Sequence, residues 1–133
     1  MTLEIKKPWA RWSNSLKEFG GYFVITNTSK EPDRLVSAAS PDAGRILICG
    51  IKVVGSAILM RELPKGLAIP GETTITLKPR GYHLLMAGPK EAREKLGSKV
   101  PVTLTFEKAG TIDVALTVEA PGPVGEETLL ETS

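Results

Sequence analysis

A chain of 133 residues is long enough for one domain with a hydrophobic core and too short for two. Its apolar fraction of 41% and charged fraction of 24% are ordinary for a globular protein, and no apolar run approaches the ~20 residues that cross a bilayer as a helix. Seventeen basic against fifteen acidic residues leave a net charge of +2 spread along the chain, with no basic cluster interleaved with aromatics, so a nucleic-acid footprint is excluded.

In chain order, the first residues, MTLEIKKPWARW, lack the apolar stretch of a signal peptide. The expectation is then either a cytosolic protein or an exported one whose leader lies upstream. Of Trp9 and Trp12, which flank Ala10-Arg11, one ring is expected to pack on the domain and cover an edge. Short β-branched and alternating runs follow, separated by Gly, Pro and Asp turns. They predict strands over 21–28, 34–38, 45–54, 57–63, 73–77, 82–86, 100–107 and 111–118. The segment PKEAREKLG, 89–97, is the one helical hint, read as a solvated turn or loop. Many short strands at near-regular spacing predict a single all-β domain over 1–120, an antiparallel β-sandwich. The tail 121–133, acidic and rich in Pro and Gly, is expected to be flexible.

Two hairpins have a physical signature. Gly110 supplies the turn between VTLTFE and IDVALTV, and Gly55-Ser56 fits a two-residue turn with positive φ at its first position. With Gly55 and Ser56 central, Val54 faces Ala57, Val53 faces Ile58 and Ile51 faces Met60. Residues two apart on a strand share a face, so the single cysteine, Cys49, lies on the face of Met60 as its diagonal neighbour. Cysteine and methionine are also ordinary core residues, so the pattern alone leaves packing and ligation both open. Catalysis has no support. With one histidine, His83, there is no paired-His motif, no GxSxG and no phosphate-cradling glycine motif, and a Cys49 inside ILICGI has the setting of an inert thiol.

PWAR at 8–11, GGYFVITNTSKEPDRLVSAASPDAGR, LPKGLAIPGETTITLKPRGYHLLMAG and VPVTLTFEKAGTIDV together resemble the PCu(A)C family of bacterial copper chaperones, over residues 8 to about 119. The resemblance implies a cupredoxin-like Greek-key sandwich in an exported or periplasmic protein. It also implies Cu(I) as cargo for an acceptor such as the CuA subunit of cytochrome c oxidase. The family's motif is His, ten residues, Met, about twenty-one residues, then His-x-Met. Here Cys49 stands at the first histidine, Met60 at the first methionine, His83 at the second histidine and Leu85 at the last methionine. Ile51, Val53 and Ile58 occupy positions where the family often has further methionines.

Thiolate, thioether and imidazole all suit Cu(I), so the resemblance implies an altered site of Cys49, Met60 and His83. Met86 is a fourth candidate, although in a regular strand it points away from His83 and only a bulge would redirect it. The alternative is a degenerate domain without metal, whose aliphatic face meets a protein partner.

Overall fold

The computed structural model describes residues 3–13, 18–79, 81–87, 96–120 and 129–130. Among them the chain forms β1 (Leu3–Ser13), β2 (Glu18–Asn27), β3 (Asp33–Ala39), β4 (Ile46–Val54), β5 (Ala57–Glu62), β6 (Leu67–Ile69), β7 (Thr73–Thr76), β8 (His83–Met86), β9 (Lys99–Phe106), β10 (Gly110–Glu119) and β11 (Leu129–Leu130). All eight predicted strands are present. The strands run β11-β5-β4-β8-β2-β1-β10-β9-β3-β6 in one hydrogen-bonded order, with β7 joined to β2. Residues from both halves of this order share one core, so the ribbon folds over on itself as a cupredoxin-like sandwich.

Period-two burial is clearest on β9. On β9, Val100, Val102, Leu104 and Phe106 turn inward while Lys99 and Pro101 remain exposed. Phe19, Phe23 and Ile25 of β2, Leu84 and Met86 of β8, and Leu116 and Val118 of β10 meet them in the core. Each such side chain stabilises the fold by roughly 1.5–3 kcal/mol relative to leaving it in water.

The antiparallel expectation needs two corrections. β1 pairs with β10 in parallel, Trp9 opposite Thr117, and β11 pairs with β5 in parallel. β1 was not among the predicted strands because Lys6, Lys7 and Pro8 interrupt its pattern. The chain absorbs the proline in a bulge, with Lys7 at φ 50° and the β1–β2 register shifting between Lys6 and Trp9. Trp12 enters the core edge-on to Phe19 at 5.3 Å, whereas Trp9 packs on Tyr22 on the opposite face at 4.5 Å. Of the helical hint, residues 89–95 lie outside the described residues, and Leu96-Gly97 form a turn. The tail likewise lies outside them except for Leu129–Leu130, which are tied to the sheet.

Polar side chains stitch the loops. Asn27 Nδ2 donates to the carbonyls of Glu31 at 2.9 Å and Pro70 at 3.2 Å, while its Oδ1 accepts from Ser29 N at 3.0 Å. Asp33 accepts from Lys108 N at 2.8 Å and Ala109 N at 3.0 Å, clamping the β9–β10 turn.

Two glycines at positive φ differ in kind. Gly55 sits at φ 60° at the tip of the β4–β5 hairpin, with open space where a Cβ would go. Gly66 sits at φ 84°, and a Cβ there would strike the Leu35 carbonyl oxygen. Gly55→Ala should therefore cost about 1 kcal/mol of unfolding free energy, the backbone term alone. Gly66→Ala should cost about 2–3 kcal/mol, because β6 must also move off β3. Urea unfolding of the two variants checks the order.

Candidate functional site

Three strands bring the candidate residues together. β4 lies between β5 and β8, and its Cys49 stands directly opposite Glu62 on one side and His83 on the other. Met60 stands opposite Ile51, one diagonal from Cys49, as the turn at Gly55-Ser56 requires. Its side chain reaches across, placing Sδ 3.2 Å from His83 Nε2. Cys49, Met60 and His83 are 1%, 8% and 2% exposed. Cys49 and Met60 pack with Leu85 and the partly buried Leu47 as a second apolar cluster, separate from the main core.

The histidine's tautomer follows from its partners. A carbonyl oxygen only accepts, so the Nδ1–H donates to Gly81 O at 2.8 Å. Nε2 then carries its lone pair toward the Met60 sulfur. Burial holds the His83 pKa below its ordinary 6.5, partly offset by the Gly81 hydrogen bond, so the ring is neutral at physiological pH. Burial, reinforced by the carboxylates of Glu62 and Glu18, pushes the Cys49 thiol up to about 12. The resting cluster holds a protonated thiol, a neutral imidazole and a thioether.

Met86 does not join them. It packs in the main core with Leu84, because alternate residues of a regular strand point to opposite faces and no bulge intervenes between His83 and Met86. Leu85, two residues from His83, takes the place on the cluster's face. Among the described residues, no three His, Cys, Asp or Glu side chains gather as a metal-binding group. A site here depends on thioether sulfur.

An aromatic wall adjoins the cluster that the sequence reading missed. The Tyr22 ring lies 6.2 Å from the His83 ring, Trp9 stacks on Tyr22, and the Arg11 guanidinium sits 5.8 Å from the Trp9 centroid. Burial raises the Tyr22 pKa, opposed by the charge and hydrogen bond of Arg11. The legible signal was Gly20, since the Tyr22 hydroxyl occupies the space that a Cβ at that position would need.

This arrangement belongs to a known class. The chain superposes on the apo PCuAC domain of PmoF1 with a TM-score of 0.73 at 26% identity, covering 91% of this chain and 96% of that one. It also matches the Cu(I)-form solution structure of DR1885 from Deinococcus radiodurans, with a TM-score of 0.65, 28% identity, and coverage of 90% and 77%. The fold is that of a PCuAC-type domain. Within it, residues 3–118 match the family described as "Putative lipoprotein LpqE-like", and the chain belongs to that family. A relative from Leifsonia xyli subsp. xyli (strain CTCB07), "Putative lipoprotein Lxx21020", is 29% identical over 88% of this chain and 69% of its own length. Family membership places the chain among periplasmic or exported proteins.

The pKa shifts fix two pH limits on stability. His83, depressed when folded, contributes stability present above about pH 6.5 and lost as pH falls below it. Cys49, raised when folded, contributes stability present below pH 9 and lost as pH rises from 9.0 toward 12. Urea midpoints should fall on both sides of a neutral plateau. His83→Gln should flatten the acid limb and Cys49→Ala the alkaline limb, each independently of the other.

Proposed function

We propose that this exported PCuAC-type domain works by protein–protein contact, with the Cys49–Met60–His83 cluster serving as packing. The surface of the β4–β5 hairpin carries the reading. Ile51 and Val53, on one face of the hairpin, are 36% and 66% exposed, and Val54, at its tip on the other face, is 50% exposed. Contiguous exposed aliphatic side chains mark contact sites more often than scattered ones do. The family resemblance implies methionine at two of these positions, Ile51 and Val53. Exchanging thioether for hydrocarbon removes donors and keeps apolar surface. Leu85 has the same effect inside the cluster, where a thiol with a pKa of about 12 also resists ionisation.

A second reading has its own support in the 3.2 Å approach of Met60 Sδ to the lone pair of His83 Nε2, with Cys49 paired directly opposite His83. On that reading Cu(I) is the cargo. Cys49 thiolate, Met60 thioether and His83 imidazole would hold it for delivery to a cuproprotein, the CuA subunit of cytochrome c oxidase being the family's acceptor. The donors are soft and suit that ion, although its entry requires the Cys49 proton to leave.

Anaerobic Cu(I) titration of the reduced protein against a chromophoric chelator separates the two. The expected result is no stoichiometric binding, with Cys49→Ser altering stability alone. One Cu(I) per chain, lost in Cys49→Ser, weakened in His83→Ala and untouched in Met86→Leu, would replace the contact reading with the cargo reading. The contact itself is checked by in-cell photocrosslinking. A photoreactive residue at Val53 should give a discrete adduct, and one at exposed Thr111 should not. Equal yields from both positions would remove the hairpin from consideration.

A further inference from the structure

The two ends of the strand order are unlike. One ends in the three-residue β6, next to Pro70. The other ends at β5, where the outer edge carries β11, with Leu129 opposite Leu59 and Leu130 opposite Met60. β5 has six residues and β11 spans two. Any backbone N–H and C=O groups that an edge strand turns outward are a template for another strand, and a ladder of two residues occupies only part of it. Parallel pairing is also the weaker kind per residue. Contacts this small open at low free energy.

Chain length permits such opening. Ten residue steps separate Glu119, the end of β10, from Leu129, a reach of roughly 33–36 Å when extended. β5 lies five strands from β10 in the hydrogen-bonded order, about 24 Å at ~4.8 Å per strand and less where the sandwich curls. The extended length of the linking chain exceeds this lateral span. The sequence of the segment, Glu126-Glu127-Thr128-Leu129-Leu130-Glu131, sets acidic residues on both sides of the two leucines. On β5 itself Arg61 and Glu62 are both exposed, so the edge carries one charge of each sign.

We propose that the outer edge of β5 is a strand-addition site for an extended partner segment with two adjacent aliphatic residues, of the kind the chain's own Leu129–Leu130 presents. The chain's own Leu129–Leu130 holds this edge until the partner arrives. The inference rests on the contact reading above and supplies its geometry. Main-chain hydrogen bonds along Ala57–Glu62 give the grip. Because Met60 is on this strand, an exchange at the edge takes place beside the buried cluster.

The full-length chain and its Leu129→Pro/Leu130→Pro variant provide the test, since proline removes the tail's amide donors without shortening the chain. In the variant, amide hydrogen exchange over Leu59–Arg61 should quicken at least tenfold, while Ile25 in the core is unchanged. The probe is a fluorescent peptide of residues 126–133. It should bind the variant at least tenfold more tightly than the unaltered chain, and a peptide with both leucines changed to proline should bind neither. Unchanged exchange over Leu59–Arg61, or a peptide that binds both proteins equally or neither, overturns the proposal. Crosslinking from Val53 reports on the hairpin tip and the peptide on the β5 edge, so the two readings fail separately.

Discussion

Strand parity on β8 is the constraint on which the rest of this structure depends. His83, Leu84, Leu85 and Met86 are all buried, so this short strand has no solvent face and divides two apolar regions. Leu84 and Met86 belong to the main core, and His83 and Leu85 face the smaller cluster around Cys49 and Met60. β4 repeats the division, with Ile48 in the core and Cys49 in the cluster. A slip of one residue would drive an imidazole into hydrocarbon and leave its nitrogen unpaired, at a cost of about 1–3 kcal/mol for the lost hydrogen bond alone. The Gly81 carbonyl, which accepts from Nδ1, anchors the correct register from the loop before the strand.

The sequence made local geometry legible and left long-range pairing hidden. The Gly55-Ser56 turn sufficed to put Cys49 and Met60 on one face, because a two-residue hairpin fixes register over the strands beside it. Parity likewise separated Met86 from His83. Nothing local showed that β8 would lie against β4 and set His83 across from Cys49, a pairing between residues more than thirty positions apart. For that, the family resemblance carried the information. β1 was missed because its pattern breaks at Lys7-Pro8, where a bulge absorbs the break. β11 was missed because two leucines in an acidic, glycine-rich tail have no periodicity to read.

The cluster shows how a ligand set and a packed core grade into each other. Thiolate, thioether and imidazole all suit Cu(I), but two of the three side chains are also common core residues. Leu85 makes the difference concrete. It occupies the position on His83's face where the family resemblance implies a methionine, fills similar volume, and offers no lone pair. Burying it favours folding whether or not an ion is ever present. The imidazole is the one member that burial penalises, and its hydrogen bond to Gly81 offsets part of that penalty.

Cys49 is the single thiol of a protein that belongs among exported chains. An oxidising compartment would turn an accessible thiolate into sulfenic acid or into a disulfide with a neighbouring molecule. Both routes begin with the thiolate and require access to sulfur. Here the side chain is sealed beneath Met60, Leu47 and Leu85, and its proton is held to about pH 12. The packing that buries the cluster therefore also withholds its sulfur from exchange with other thiols.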